Sequence, residues 1–302
     1  MRSLNNMKCF ACKNEKKFIK LFPRYCFVKN YICEVCGLVQ VERGRKSMQK
    51  YYKQDGYFRK SPNLSLRKEF LSRKMLIKNA KKRVDESLAI LSVPLTGKNI
   101  LDVGCGYGEL LYYIKDRFQG KVVGIEASKE AARIGAHMFD LPIHPLLLEN
   151  FKFKKKFDVI ICAHTLEHVD DPNLFLQGLK RLLRKDGYFY IEVPNILKPT
   201  GGFSLNKFLY SEHLQNFSAY SLNLILANNG FKTVSYSDYG FLKFWCRLDN
   251  RRPLIVNKIS AEQILVFLEN YKKNYTFINT ARVYIQKFNY LRQLLLYKLT
   301  EL

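Results

Sequence analysis

Four cysteines near the start of the sequence have the spacing of a metal site. Cys9 and Cys12 form one Cys-x2-Cys pair, and Cys33 and Cys36 form a second. Two tight turns of this kind supply four thiolates, the tetrahedral set that Zn²⁺ prefers. A small module over residues 1–45 has little apolar content, so the metal would supply its folding free energy. We therefore expect a structural zinc, with redox chemistry or unligated thiols as the alternatives.

A glycine-rich loop follows an apolar run that we predict to be a buried strand. The loop reads Gly104-Cys105-Gly106-Tyr107-Gly108 and leads into a predicted helix. Glycines let the backbone approach a ligand closely, and the start of a helix offers unpaired N–H donors. Glu126 ends the next predicted strand, about 20 residues after the glycines, where a carboxylate can accept hydrogen bonds from both ribose hydroxyls. Together these features predict a nucleoside site.

Asp102, two positions before the first of these glycines, indicates which kind of nucleoside could bind. Asp102 is an acid that suits the ammonium group of an amino acid and would repel a pyrophosphate. The sequence has no Gly-Lys-Ser/Thr phosphate cradle. We therefore expect a cofactor that is a nucleoside bearing an amino acid.

Histidine is the side chain to look for where a reaction needs a base near neutral pH. The sequence contains five histidines. His164 and His168 follow the fourth predicted strand, at the carboxyl edge of the sheet where α/β proteins bind ligands. Both are catalytic candidates, and a structural role is the alternative for His168. His137 and His144 are expected to be structural or surface residues.

A second cluster of polar residues lies beyond the fifth predicted strand. It reads Tyr210-Ser211-Glu212-His213 and follows residues 195–209, a predicted lid that could exclude water. We expect His213 to act as a base or a substrate ligand. Glu212 would orient it, and Tyr210 would donate a hydrogen bond.

Short apolar runs alternate with helical stretches in the middle of the chain. They predict strands at 100–103, 122–125, 159–162 and 188–193, helices near 108–118, 128–138 and 172–184, and an edge hairpin over 231–236 and 241–247. Buried strands separated by helices form a parallel sheet with right-handed crossovers. The pattern therefore predicts an α/β fold.

The composition divides the chain into four segments. These are a zinc-binding module at 1–45, a basic Tyr-rich linker and helix at 46–97, the nucleoside-binding domain at 98–250 and a helical extension at 251–302. The extension predicts one long helix or a helical hairpin over 260–300. Such an element would pack against the domain or pair two subunits in a homodimer.

The ordered motifs from about residue 84 to about residue 248 resemble those of class I S-adenosylmethionine (SAM)-dependent methyltransferases. They are Leu101 to Gly108, Glu126, Phe157 to Ile160, Leu166 to Val169 and Asp186-Gly187. The resemblance implies SAM as cofactor and a Rossmann-like sheet with helices on both faces. The residues that it implies for the methionine part of SAM are Asp102, Gly104, Cys105, Gly106 and Gly108. It further implies that Glu126 holds the ribose, that Ala163 and His164 close over the cofactor, and that the adenine lies near residues 147–149.

Tyr210-x-Glu212-His213 also resembles a motif of sugar C-methyltransferases that carry a Cys-rich zinc module. In that group these side chains bind the sugar nucleotide and help to move the proton. The first expectation is therefore methyl transfer to a small-molecule or carbohydrate acceptor, such as a sugar, nucleotide sugar or surface glycan, at oxygen or carbon. A binding module without turnover is a further alternative.

The charge of the chain suggests a second substrate class. The net charge is +25, and residues 1–83 contain 23 basic but only 5 acidic side chains. Such a segment attracts polyanions, including RNA and the phosphates of a substrate. The alternative function is an rRNA or tRNA methyltransferase whose zinc module grips RNA, with Tyr51, Tyr52 and Tyr57 stacking on bases. A solvated Lys-rich surface would explain the same charge.

The sequence also bears on where the protein works. It has no run of about 18 apolar residues, and residues 1–12 lack an apolar signal region. We therefore expect no transmembrane segment and a cytoplasmic location. In a reducing compartment eight cysteines are better explained as metal ligands and isolated thiols than as disulfides.

Overall fold

The computed structural model describes residues 7–21, 29–42, 73–199, 205–209, 213–249, 254 and 256–274. Tyr210, Glu212, the three linker tyrosines and the extension beyond residue 274 lie outside this part of the chain. Among the described helices, none is both long enough and apolar enough to cross a bilayer. The cytoplasmic location and the homodimer stay predictions.

The described residues form eleven strands and seven α-helices. The strands are β1 (Phe18–Lys20), β2 (Asn30–Cys33), β3 (Val39–Val41), β4 (Asn99–Val103), β5 (Lys121–Ile125), β6 (Ile143–His144), β7 (Phe157–Ala163), β8 (Leu183–Val193), β9 (Gln215–Asn216), β10 (Phe231–Ser237) and β11 (Leu242–Leu248). The helices are α1 (Arg73–Ile90), α2 (Glu109–Phe118), α3 (Lys129–Phe139), α4 (Pro172–Leu182), α5 (Leu205–Phe208), α6 (Ala219–Asn228) and α7 (Ala261–Asn274).

Seven strands form the central sheet, in the order β10-β11-β8-β7-β4-β5-β6. The five strands β4 to β8 run parallel, whereas β11 is antiparallel to both β8 and β10. The predicted edge hairpin is therefore confirmed, with β11 rather than β10 joined to the parallel strands. The carboxyl ends of β4, β5, β7 and β8 meet at one edge, which is where ligands bind in open α/β sheets.

Both faces of this sheet are buried. Along β4, Ile100 and Leu101 belong to different apolar clusters, and Val159 and Ile160 alternate in the same way along β7. Successive side chains of a strand point to opposite faces, so two clusters mean that helices cover both sides of the sheet. The Rossmann-like fold with helices on both faces is confirmed.

Local sequence fixes the start of the helices that border the site. The carboxylate of Asp171 accepts hydrogen bonds from the backbone of Asn173 and Leu174, at 2.9 and 3.1 Å, and Pro172 begins α4. The hydroxyl of Ser128 accepts a bond from Ala131 N at the start of α3. Such side chains satisfy backbone donors that have no partner within the helix.

A second, four-stranded sheet joins the cysteine-rich segment to a strand that follows the central residues of the chain. Its order is β1-β2-β3-β9, and each neighbouring pair is antiparallel. Strands β1 to β3 belong to the cysteine-rich segment, whereas β9 follows His213. The cysteine-rich segment is thus hydrogen-bonded to a strand beside the carboxyl edge of the central sheet.

Candidate active site

The glycine loop turns sharply away from β4. Gly104 has φ of +77°, and a Cβ atom at this position would lie 2.2 Å from Oγ1 of Thr165. That hydroxyl donates to Val103 O at 3.2 Å. Only glycine combines this backbone conformation with so close an approach. The loop is thereby held against the turn that follows β7.

Gly108 packs closely against β6. Its φ is +79°, and a Cβ atom there would meet Cδ1 of Ile143 at 2.6 Å. Gly104, Cys105 and Gly106 line the central cavity. The geometry of Gly108 therefore supports the packing of the loop, and its contact with the cofactor stays a prediction.

Glu126 joins the loop to the end of β5. Its side chain is 7% exposed, and its two carboxylate oxygens accept hydrogen bonds from Gly106 N at 2.9 Å and Ser128 N at 2.8 Å. The residue also lines the cavity. Each carboxylate oxygen has more than one acceptor site, so the group can hold the loop and also accept from ligand hydroxyls.

A cavity of about 750 Å³ opens at the carboxyl edge of the sheet. This volume is within the usual range for small-molecule sites. Its lining includes the predicted adenine region at Leu147 to Glu149, then Glu126, then Asp102. Ala163, His164, His168 and His213 line it as well. The lining therefore contains the residues that were expected to contact the adenine, the ribose and the amino-acid part of the cofactor.

Asp102 is a buried acid in this cavity, only 4% exposed. Burial raises its pKa most, the nearby Glu109 and Glu126 carboxylates also raise it and Arg83 lowers it, so that the pKa of Asp102 is about 8. A ligand ammonium group would favour the charged form of this carboxylate. Arg83, from α1, lines the same cavity and offers a cation for a ligand carboxylate.

His164 lies between two buried carboxylates. It has φ of +54°, and its Nε2 and Nδ1 atoms lie 3.0 Å from Glu192 and 3.5 Å from Glu167. Burial disfavours its charged form, but the two carboxylates outweigh burial and raise the pKa of His164 to about 9. Glu192 also accepts a hydrogen bond from Tyr190 at 2.7 Å and lies 3.4 Å from Arg83. His164 is therefore held as a cation near neutral pH.

A second cluster brings Glu167, His168 and His213 together at the same cavity. One ligand atom from each lies within 4.8 Å of the others. The rings of His168 and His213 meet edge to face with centroids 4.9 Å apart, and His168 Nε2 lies 3.8 Å from Glu167. Glu167 is 1% exposed and His213 is 8% exposed. These groups can move a proton or, because of their spacing, hold a cation.

The four cysteines also converge. Their sulfur atoms lie within 4.8 Å of one another, with Cys9 3.4 Å from Cys36 and Cys12 3.4 Å from Cys33. Asn14 Nδ2 donates to Cys33 Sγ at 3.5 Å. Four thiols from two turns, supported by an N–H donor, fit a tetrahedral metal ion with no open position.

Three residues of the site were not found by sequence reasoning. Arg83 and Glu192 belong to none of the motifs, and only the fold brings them to His164. Glu167 lies within the Leu166 to Val169 motif, but the motif alone assigns it no role. An acidic residue inside an otherwise buried strand, as Glu192 is in β8, was the available signal, because buried carboxylates are rare unless paired.

The fold and the cavity define a class of protein that binds a nucleoside bearing an amino acid at a glycine loop. Comparison with known proteins names the class. A family described as a methyltransferase domain matches residues 75–236, which is more than half of the chain. The chain therefore belongs to this family, and the expected class I SAM-dependent methyltransferase is confirmed.

Curated relatives cover the same region. The ubiquinone biosynthesis O-methyltransferase of Pelagibacter ubique is 32% identical over 161 residues, which are 52% of this chain and 64% of that protein. The enzyme of the same name from Histophilus somni is 32% identical over 186 residues, 51% of this chain and 75% of that protein. The chain thus spans slightly less than two thirds of the Pelagibacter relative.

Solved methyltransferase structures also resemble the chain. The plantazolicin methyltransferase BpumL, in complex with SAH, covers 67% of this chain and 95% of its own, with a TM-score of 0.49 and 17% identity. A SAM-dependent methyltransferase from Aquifex aeolicus covers 61% and 97%, with a TM-score of 0.47 and 20% identity.

Proposed function

We propose that this chain transfers the methyl group of SAM to a hydroxyl oxygen of a small acceptor. The relatives described above are named O-methyltransferases, which supports oxygen rather than carbon as the acceptor atom. Their names give no support for a carbohydrate acceptor. A sugar, nucleotide sugar or glycan therefore stays a prediction, to be tested beside other hydroxylated compounds.

The observation that carries this proposal is the cluster of Glu167, His168 and His213 at the cavity that contains the SAM-binding groups. A hydroxyl must lose its proton when it is methylated, so a base beside the acceptor accelerates the reaction. A buried carboxylate near two imidazoles can orient one of them and stabilise its charged form. Leu174 and Phe175 line the same cavity and give it an apolar wall.

SAM supplies a methyl group already activated by the sulfonium. The residues of this chain hold and align the reactants. Asp102 would pair with the ammonium of the methionine part, Arg83 with its carboxylate and Glu126 with the ribose hydroxyls. His213 would take the acceptor proton, and Glu167 would stabilise the resulting charge. Holding both reactants in line supplies much of the rate acceleration.

His213 fits the role of the base better than His164 does. The pKa of His164 is raised to about 9 by the carboxylates of Glu167 and Glu192, so near neutral pH it already carries a proton. A protonated imidazole cannot accept a second proton, so it cannot act as the base. The positive charge of His164 instead balances the carboxylates of Glu167 and Glu192 beside it. Tyr210 and Glu212 stay predicted partners of His213.

We further propose that the cysteines hold one structural zinc. The support is the convergence of four thiols within 4.8 Å, three of them buried. Cys9, Cys12, Cys33 and Cys36 would be its ligands. A filled tetrahedral set offers no site for a substrate, so this metal would stabilise the fold and take no direct part in methyl transfer.

The proposal is tested with methyl-labelled SAM and a panel of acceptors. The panel contains monophenols, vicinal diphenols, nucleotide sugars, a glycan fraction and total RNA. Label transferred to a hydroxyl of a small compound is the expected result. Label found only in nuclease-sensitive RNA, or only on carbon, would contradict the proposal.

A pair of variants then tests the assigned base. His213→Ala should reduce turnover by about 10²- to 10⁴-fold, because a positioned base contributes an effect of this size. Its affinity for SAM, measured by calorimetry, should stay within about twofold. His137→Ala, in α3 and away from the cavity, is the matched control and should keep full turnover. Full turnover in His213→Ala would remove His213 from the mechanism.

A further inference from the structure

The segment after His213 lies between two parts of the molecule. On one side β9 pairs with β3, with Gln215 opposite Gln40 and Asn216 opposite Val39. The N–H of Val41 also donates to Leu214 O at 3.0 Å. The cysteine-rich segment thus contributes the neighbouring strand to the residues that follow His213.

On its other side this segment is bonded to the turn after β7. The N–H of Leu214 donates to Glu167 O at 2.7 Å, and Nε2 of Gln215 donates to Val169 O at 3.3 Å. The residues next to His213 therefore connect the cysteine-rich segment with the turn that carries Glu167 and His168. A shift of β3 would be passed to His213 through backbone hydrogen bonds.

Gln40 links this strand to the first cysteine pair. Its side chain is fully buried, its Nε2 donates to Lys8 O at 2.9 Å, and its Oε1 accepts from Phe10 N at 3.4 Å. Lys8 and Phe10 flank Cys9. The second cysteine pair reaches the same strand directly, because Cys36 lies three residues before Val39, the first residue of β3.

The first cysteine turn is also fixed to helices of the methyltransferase domain. Asn173, in α4, donates to Phe10 O at 3.1 Å, and Asn228, in α6, donates to Ala11 O at 2.6 Å. Asn229 in turn donates to Asn173 Oδ1 at 2.7 Å. The cysteine turn is thereby docked on the domain by side-chain bonds as well as by strand pairing.

We infer that the cysteine-rich segment positions the cluster of Glu167, His168 and His213 from outside the cavity, and that Gln40 is a positioning residue that holds His213 against Glu167 and His168 through β3 and β9. This inference rests on the proposed function only in so far as His213 is the base for methyl transfer. The metal that the cysteines would hold then helps to fix the position of His213, although His213 is not one of its ligands.

Histidine-ring NMR of the metal-loaded full chain tests this inference without an acceptor. The chain contains five histidines, so each ring can be assigned by single substitution. Gln40→Met keeps the approximate length of the side chain but removes both hydrogen bonds to the first cysteine turn. The ring signals of His213 and His168 should move, whereas those of His137 and His144 should not. Affinity for SAM should stay within about twofold.

Tyr31→Phe is the matched control, because Tyr31 lies opposite Gln40 in β2 and its hydroxyl donates to Glu42, away from the first cysteine turn. It should leave all five ring signals in place. Unmoved His213 and His168 signals in a folded, metal-loaded Gln40→Met protein would overturn the inference. If that variant does not fold, Gln40→Asn, which shortens the side chain by one methylene and so weakens the bonds to Lys8 O and Phe10 N, gives the same readout, with movement of the two signals expected and their constancy contradictory.

The two proposals fail differently. Moved ring signals in Gln40→Met, together with full turnover in His213→Ala, would keep the coupling and reject the base. Constant ring signals with an inactive His213→Ala would keep the base and reject the coupling.

Discussion

Nε2 of His164, the residue that follows β7, lies 3.0 Å from a carboxylate oxygen of Glu192 in the adjacent strand β8. Glu192 is buried and His164 is partly buried at the sheet edge that carries the glycine loop. Burial opposes charge on Glu192, but His164, Arg83 and Tyr190 together lower its pKa to about 2. The two groups therefore hold opposite charges over a wide range of pH.

The first prediction concerns the pH dependence of stability. The pKa of His164 is raised from 6.5 to about 9, so its contribution is complete below pH 6.5 and is lost as the pH rises through about 9. The pKa of Glu192 is lowered from 4.5 to about 2, so its contribution is present above pH 4.5 and is lost as the pH falls through about 2. Thermal unfolding should therefore show Tm falling between pH 6.5 and 9 in the wild type.

Glu192→Gln should flatten that fall, because it removes one of the two carboxylates that raise the pKa of His164. Asp186→Asn, at a carboxylate whose side chain is 72% exposed, is the control and should keep the wild-type profile. A wild-type Tm that is constant from pH 6.5 to 9 would contradict the charged pair.

The second prediction concerns protons released when SAM binds. The pKa of Asp102 is raised to about 8 by burial and its acidic neighbours, so the free enzyme carries a proton there at about pH 7. An ammonium group beside it lowers that pKa, so binding should release a fraction of a proton and become tighter as the pH rises toward 8. Calorimetry in two buffers of different ionisation enthalpy measures the release. Asp102→Asn should abolish it, and an identical release in that variant would refute the assignment.

The third prediction concerns the ribose contact. Glu126→Ala should weaken SAM binding by about 10- to 100-fold, because hydrogen bonds to a charged group each contribute about 1.5–3 kcal/mol. The variant also loses the bonds to Gly106 and Ser128 that order the loop. Glu130→Ala, at the start of α3 and outside the cavity, should bind SAM normally. Equal affinities in the two variants would show that Glu126 does not hold the cofactor.

The fourth prediction concerns the cysteines. Elemental analysis of the purified chain should find about one zinc per molecule. Cys33→Ser should lose the metal and most of the folded yield, because binding and folding of a small metal site are coupled. Cys246→Ser replaces another buried cysteine, one that faces Thr233 rather than the cluster, and should retain the zinc. A folded wild type without metal would end this assignment.

Much of the fold could be predicted because local signals and tertiary structure agree. The apolar runs at 100–103 and 122–125 became β4 and β5, and Asp171-Pro172 begins a helix as its residue types indicate. The convergence of four cysteines followed from their spacing. These features are determined by residues that are close together in the sequence, so they can be predicted from local patterns.

The rest of the site depends on contacts between distant segments. Arg83 in α1 meets Glu192 in β8 although the two residues lie far apart in the sequence, and no local pattern specifies that contact. The close packing of Gly108 against Ile143 depends on a later strand in the same way. Nothing in the sequence of β3 or of β9 indicates that these two strands pair with each other.

That last pairing has a consequence for how the chain reaches its native state. Residues 39–41 are synthesised long before residues 214–216, so β3 has no partner on its outer edge until most of the chain has been made. Contacts between such distant segments close slowly, because the intervening chain must be ordered first. An unpaired strand edge also invites pairing with other chains. Refolding should therefore have a slow phase in which the central sheet is formed and the cysteine-rich segment has yet to dock.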